Sequence, residues 1–143
     1  MSSYARDECA GGPLLSIRVA LVPAFHLGDD VVLLAMDGAG LEAFGAALDQ
    51  ARRQGNWQFE RDGRTHHFHV QPGAVAVGLE GDDVHWRLDV TKASEIGDKL
   101  AAMRSSAAPS HHYVDIDTPT GTLVLSLDEY VGADRFGNPA HPF

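Results

Sequence analysis

The feature that most constrains this chain is a change of hydrophobic period that happens twice. Strand-like alternation gives way to a helical stripe, returns to alternation, and the whole order then recurs. In residues 38–54, GAGLEAFGAALDQARRQ, Leu41, Phe44, Leu48 and Ala51 fall on one stripe, while Glu42, Asp49, Arg52 and Arg53 fall elsewhere. That spacing predicts an amphipathic helix. Asp37 stands at the N-cap position and Gly55 at the C-terminal stop, and Asp49 precedes Arg53 by four residues, the favourable order for an ion pair. A second helix is predicted from about Lys92 to Ser106, burying Ile96, Leu100 and Met103, with Thr91 as its cap.

Strands surround both helices. Leu14 to Val22 alternates, with Leu15, Ile17, Val19 and Leu21 on one face, and Pro23 is expected to end it. Val31 to Met36 is a continuous apolar run, as in a strand covered on both sides. NWQFER and RTHHFHV flank the Asp62-Gly63 pair, a strong hairpin signal because that turn needs positive φ. AVAVGLE and VHWRLDV flank the turn at 81–83, and HHYVDI and TLVLSLDEY flank TPTG. The order is ββαββ, twice. GDDV occurs at 28–31 and 81–84, an offset of 53; the helical stripes match at 55, and the two HH-aromatic strands at 45. These readings predict an α+β fold: a mostly antiparallel, twisted sheet of six to eight strands, with two helices covering one face. Half-repeats would span 14–70 and 74–130. The single domain would span 14–131, after a flexible Gly-rich leader (1–13) and before a loop-like tail (132–143).

Charge narrows the function. Twenty acidic residues against eleven Lys and Arg give a net charge of −9, a surface that repels phosphate backbones and anionic lipid. Neither nucleic acid nor membrane is an expected partner. No apolar run approaches the roughly 20 residues of a membrane span, and Asp7 and Glu8 stand where a signal peptide needs basic residues, so a cytoplasmic location is expected. Cys9 is the one cysteine, which excludes an internal disulfide and a thiolate zinc site.

Five of the eight histidines fall in two short segments, THHFHV (65–70) and SHHYVD (110–115). In a strand His67 and His69 share a face, roughly 6.5–7 Å apart, within reach of one Zn or Ni ion, with His85, His111, His112 or Asp115 as a third ligand. The competing reading makes His67 and His69 ordinary solvent-face residues and His66 a core histidine bonded to backbone. In the second segment the parity is inverted, with His112 inward and His111 outward beside Tyr113. No nucleophile stands in a recognisable catalytic setting. DIDTPTG (115–121) departs from a calcium loop at Pro119, Thr120 and Ser126, and GAG at 38–40 lacks the rest of a phosphate loop.

The stretch DVHWRLDVTKASEIGDKLAAMR followed by HHYVDI and GTLVLSLDEY, roughly 81–130, resembles small bacterial immunity proteins of polymorphic toxin systems. The resemblance implies a protein without enzymatic activity and without a cofactor, which binds and blocks a cognate toxin, often a basic one. Acidic residues would then carry the interface. The expected contacts are Asp29, Asp30, Asp82 and Asp83 in the GDD turns, with Asp128 and Glu129 at the last strand's end. The alternatives are the metal protein centred on His67 and His69, and a structural domain that forms a homodimer through a sheet edge.

Overall fold

The computed structural model describes residues 16–26, 28–105 and 110–127. Ten elements run in the order β1 (Ile17–His26), β2 (Asp29–Met36), α1 (Gly38–Gln54), β3 (Asn56–Arg61), β4 (Arg64–Val70), β5 (Ala76–Glu80), β6 (Asp83–Leu88), α2 (Val90–Arg104), β7 (Ser110–Asp115) and β8 (Thr122–Leu127). The fold is α+β, but the strands do not form one sheet. They form two mixed sheets of four strands, β1-β2-β8-β7 and β3-β4-β6-β5. Each sheet joins one hairpin from each half of the chain, and the central pairs β2–β8 and β4–β6 are parallel. Hairpin signals report only strands adjacent in sequence, so these parallel pairings leave no local mark. The first sheet has one indirect sign: β2 and β8 are continuous apolar runs, the composition of central strands buried on both faces.

The two halves obey an internal two-fold. Exchanging β1-β2-α1-β3-β4 for β5-β6-α2-β7-β8 turns one sheet order into the other. The caps repeat: Gly40 N donates to Asp37 Oδ1 (2.7 Å), and Lys92 N donates to Asp89 Oδ1 (2.6 Å). The second cap is therefore Asp89, and α2 starts two residues earlier than Lys92. Counting from these caps, the buried Leu41, Phe44, Leu48 and Ala51 correspond to Ala93, Ile96, Leu100 and Met103, an offset of 52 rather than 55. The arginines repeat as well. Arg104 lies over Gly45 and Arg52 over Gly97, so the middle of each helix meets the other's C-terminal end and the two run antiparallel. A carboxylate hook closes each half: Asp62 Oδ2 accepts from Ser16 N (2.9 Å) and Ile17 N (3.0 Å), and Asp117 Oδ2 accepts from Val75 N (2.7 Å).

The hydrophobic stripes of both helices and the inner faces of both sheets meet in one core. At its centre Phe44 packs edge-on against Trp86 (5.1 Å between ring centroids) and Phe68 (5.2 Å), each ring contributing on the order of 2 kcal/mol of burial. The outer face of the first sheet is also apolar and buried, at Val31, Leu33, Ala35 and Val124. β1 runs through Pro23 to His26, which an edge strand permits because a missing N–H there breaks no ladder bond. Its register shifts between Val22 and His26. In α1 the ion pair forms between Asp49 and Arg52 (3.7 Å), one turn position short of Arg53.

Candidate functional site

The most organised group of polar side chains lies on the outer face of the second sheet. Alternation along β4 sends His66 and Phe68 into the core, both buried, and leaves Thr65, His67 and His69 outside. Along β6, Val84 and Trp86 are buried, so Asp83, His85 and Arg87 share that outer face. The Asp62-Gly63 turn, with φ of 56° and 79°, fixes the register of β3 against β4. Three cross-strand rows result. The first is Glu60, Thr65, Asp83, Glu80; the second is Gln58, His67, His85, Gly78; the third is Asn56, His69, Arg87, Ala76. One end of the face is acidic, its middle is imidazole, and its other end carries Arg87.

The imidazoles are coupled to one another. The His67 and His85 rings stack at 4.5 Å and 10°, and the His69 and His85 rings lie 5.7 Å apart at 11°. His67 Nε2 lies 3.0 Å from Asp83 Oδ1, His69 Nε2 lies 3.5 Å from His85 Nδ1, and His85 Nε2 lies 3.9 Å from Glu80 Oε1. Partial burial together with Arg87, His85 and His67 lowers the His69 pKa below the ordinary imidazole value. Beneath this face His66 is shut into the core. Trp86 Nε1 donates to its Nδ1 at 3.1 Å, and Phe59 stacks on it at 4.9 Å. Burial, then Arg64 and His67, lowers its pKa to about 4. The expected core histidine is present, but it is bonded to an indole rather than to backbone.

A metal ion needs lone pairs that converge on one point. The lone pairs of His67, His69 and His85 lie in nearly parallel ring planes, and among the described residues no group of three or more His, Cys, Asp or Glu side chains has the arrangement to hold an ion. His111 and His112 belong to β7, in the other sheet. The inverted parity holds there: His111 and Tyr113 are exposed, and Val114 is buried. The two histidine-rich strands are not equivalents under the two-fold, because β4 corresponds to β8 and β7 to β3.

The acidic turns do not gather. Asp29 and Asp30 sit at the β1–β2 turn, where Asp30 Oδ1 accepts from Ala24 N (3.0 Å) beside the register shift. Asp82 sits at the β5–β6 turn and accepts Thr65 N through its carbonyl (2.9 Å), near the Asp62 hook. That hook holds Ile17, the partner of Met36, and β2 then carries the chain on the order of 20 Å to Asp29. Asp83 alone of these residues belongs to the organised face. Asp128, Glu129, the leader and the tail lie outside the described residues. Arg87, Glu60 and Glu80 were not singled out from the sequence. The alternation of DVHWRL places Asp83, His85 and Arg87 on one face, but only the parallel pairing of β4 with β6 brings them beside His67 and His69.

No protein-family model matches the chain, and no curated protein matches it. Among solved structures it is similar to the crystal structure of Drosophila Suppressor of Fused, at 12% identity and a TM-score of 0.46. The match covers 68% of this chain and 24% of that one, so the chain spans about a quarter of the length of that protein. Among the described residues no helix is long and apolar enough to cross a membrane.

Proposed function

We propose that this chain is a non-enzymatic acidic binding protein with a basic protein as its partner, the role an immunity protein plays toward a toxin, and that it docks through the outer face of the second sheet. The observation that carries this reading is that the fold gathers seven ionisable side chains, Glu60, His67, His69, Glu80, Asp83, His85 and Arg87, on one partly exposed sheet face. A face of twelve cross-strand positions, acidic along one edge, suits a surface that another macromolecule covers. By contrast, the buried polar side chains among the described residues are His66 and Ser126, and His66 is committed to Trp86. The net charge of −9 supports electrostatic steering of a basic partner.

The test begins with capture of a partner from the source cells, its identification, and its separate purification. Calorimetric titration at roughly 0.1 M and 1 M salt then spans Debye lengths of roughly 10 Å and 3 Å. Binding should weaken steeply with salt. Glu60→Gln, Asp83→Asn and Glu80→Gln together should cost about tenfold or more, about 1.4 kcal/mol. Affinity indifferent to both changes, or turnover of a small molecule by the chain alone, overturns the reading.

A further inference from the structure

The outer face of the second sheet differs from its two-fold mate, which is fully buried at the equivalent positions and largely apolar. The positions equivalent to Asp83, His85, Arg87, His67 and His69 are Val31, Leu33, Ala35, Val124 and Ser126, and the first four of those mates form the apolar second cluster. The same strand register thus carries an apolar face where it is buried and three imidazoles where it is partly exposed. Their arrangement is specific. A stack at 4.5 Å is favourable between neutral rings and unfavourable between two cations. The 3.5 Å gap between His69 Nε2 and His85 Nδ1 has room for one proton. A second proton placed there would face the first.

We propose that His67, His85 and His69 form a proton gate on this docking face. Neutral, they leave the negative charge of the acidic edge (Glu60, Asp83, Glu80) uncancelled and able to attract a basic partner. Protonated, they place as many as three positive charges beside Arg87 and repel that partner. The gate rests on the docking reading above. Among the described residues, the charged groups that face it are Glu60 from β3, Asp83 and Arg87 from β6, and Glu80 from β5, while the outward Asn56, Gln58 and Thr65 are uncharged. Asp83 already contacts His67 and Glu80 approaches His85, so protonation turns both contacts into ion pairs and cancels the charge of two of the three acidic groups that would meet the partner. Repulsion and loss of acceptors act in the same direction.

Two measurements on the intact chain test the gate. In the first, ring-nitrogen NMR follows the histidines through acid titration. His69 should titrate below the ordinary imidazole midpoint, and His85→Phe, which keeps a stacked ring but removes its charge, should move the His69 midpoint up by about half a pH unit. A His69 midpoint that does not move overturns the coupling. In the second, a nona-arginine peptide is the probe, at constant ionic strength. Its affinity for the native chain should fall about tenfold more between about pH 7.5 and about pH 5.5 than its affinity for a His67→Gln, His69→Gln, His85→Gln variant shown by circular dichroism to be folded. Equal losses in the two proteins overturn the gate while leaving the docking reading intact. If the native chain does not bind the peptide at the higher pH, or binds it independently of Glu60, Asp83 and Glu80, the docking reading fails and the gate fails with it.

Discussion

Acid should destabilise this protein through His66 before its carboxylates titrate. His66 is 1% exposed and accepts the indole N–H of Trp86 at Nδ1, the atom that would take the second proton. Protonation therefore breaks that bond and places a cation among Phe44, Phe59 and Trp86, with Arg64 nearby. The folded-state pKa is about 4, against 6.5 for the unfolded chain. The unfolded state consequently binds more protons throughout that interval, so stability is complete above about pH 6.5 and falls as pH drops toward about 4. The full loss is about 3 kcal/mol at about 1.4 kcal/mol per unit, and about 2 kcal/mol of it occurs between about pH 7.5 and about pH 5. Urea unfolding followed by tryptophan fluorescence measures it. His66→Phe removes the titration but strands the Trp86 N–H, costing about 1–3 kcal/mol at neutral pH. The native and variant stabilities should therefore differ at about pH 7.5 and converge near pH 5. A variant that retains the native acid slope would refute the assignment.

Other consequences of the architecture are open to measurement. A Cβ on Gly40 would lie 2.0 Å from Ser16 O, whereas one on Gly38 meets nothing within 4 Å; Gly40→Ala should cost about 3 kcal/mol, and Gly38→Ala should raise stability by about 0.5 kcal/mol, in chemical denaturation. Asp62→Ala and Asp117→Ala each remove a charged acceptor from backbone N–H groups and should each cost about 1.5–3 kcal/mol; because the hooks close different halves, the double variant should show their sum within about 0.5 kcal/mol. A chain cut in the 71–75 connection should give two fragments that are each unfolded alone and regain the native circular dichroism when mixed, because the parallel pairs β2–β8 and β4–β6 both join one half to the other. Folding of either fragment by itself as a monomer would contradict this.

Much of the local structure was legible because it is written in neighbouring residues. Asp37 and Gly55 bound α1 as their types require, and Asp62-Gly63 makes the tight turn that its positive φ values demand. The parity of β7 also follows from Val114 alone. What the sequence concealed was everything set by pairing between distant segments. The offsets of 53, 55 and 45 suggested a repeat, yet the HH-aromatic match joined the first strand of one hairpin to the second strand of another. The true correspondence lies in polar details that serve backbone groups: Asp37 with Asp89, Asp62 with Asp117, and Arg52 with Arg104. Thr91 looked like a cap because Thr is a good one, but Asp89 stands two residues earlier at the end of β6 and takes that role. Pro23 ended the predicted first strand because a central strand could not hold it; β1 is an edge.

The two-fold supplies an internal comparison for locating function. Features shared by both halves, namely the carboxylate caps, the carboxylate hooks and the arginines laid over glycines, are what the scaffold needs to close. A feature confined to one of the two sheets carries no such obligation. Sheet-face chemistry is confined in this way: Leu33 and Val124 are buried and apolar where His85 and His67 are polar and partly open. A partly exposed, paired set of imidazoles offers little to stability, since contacts between polar groups open to water are worth on the order of 1 kcal/mol or less. Apolar residues occupy the same register on the other side, where the face is buried. A partly exposed face of interlocked charges and imidazoles, set against a buried apolar face at the same register, is what points to the second sheet rather than to the acidic turns as the docking surface.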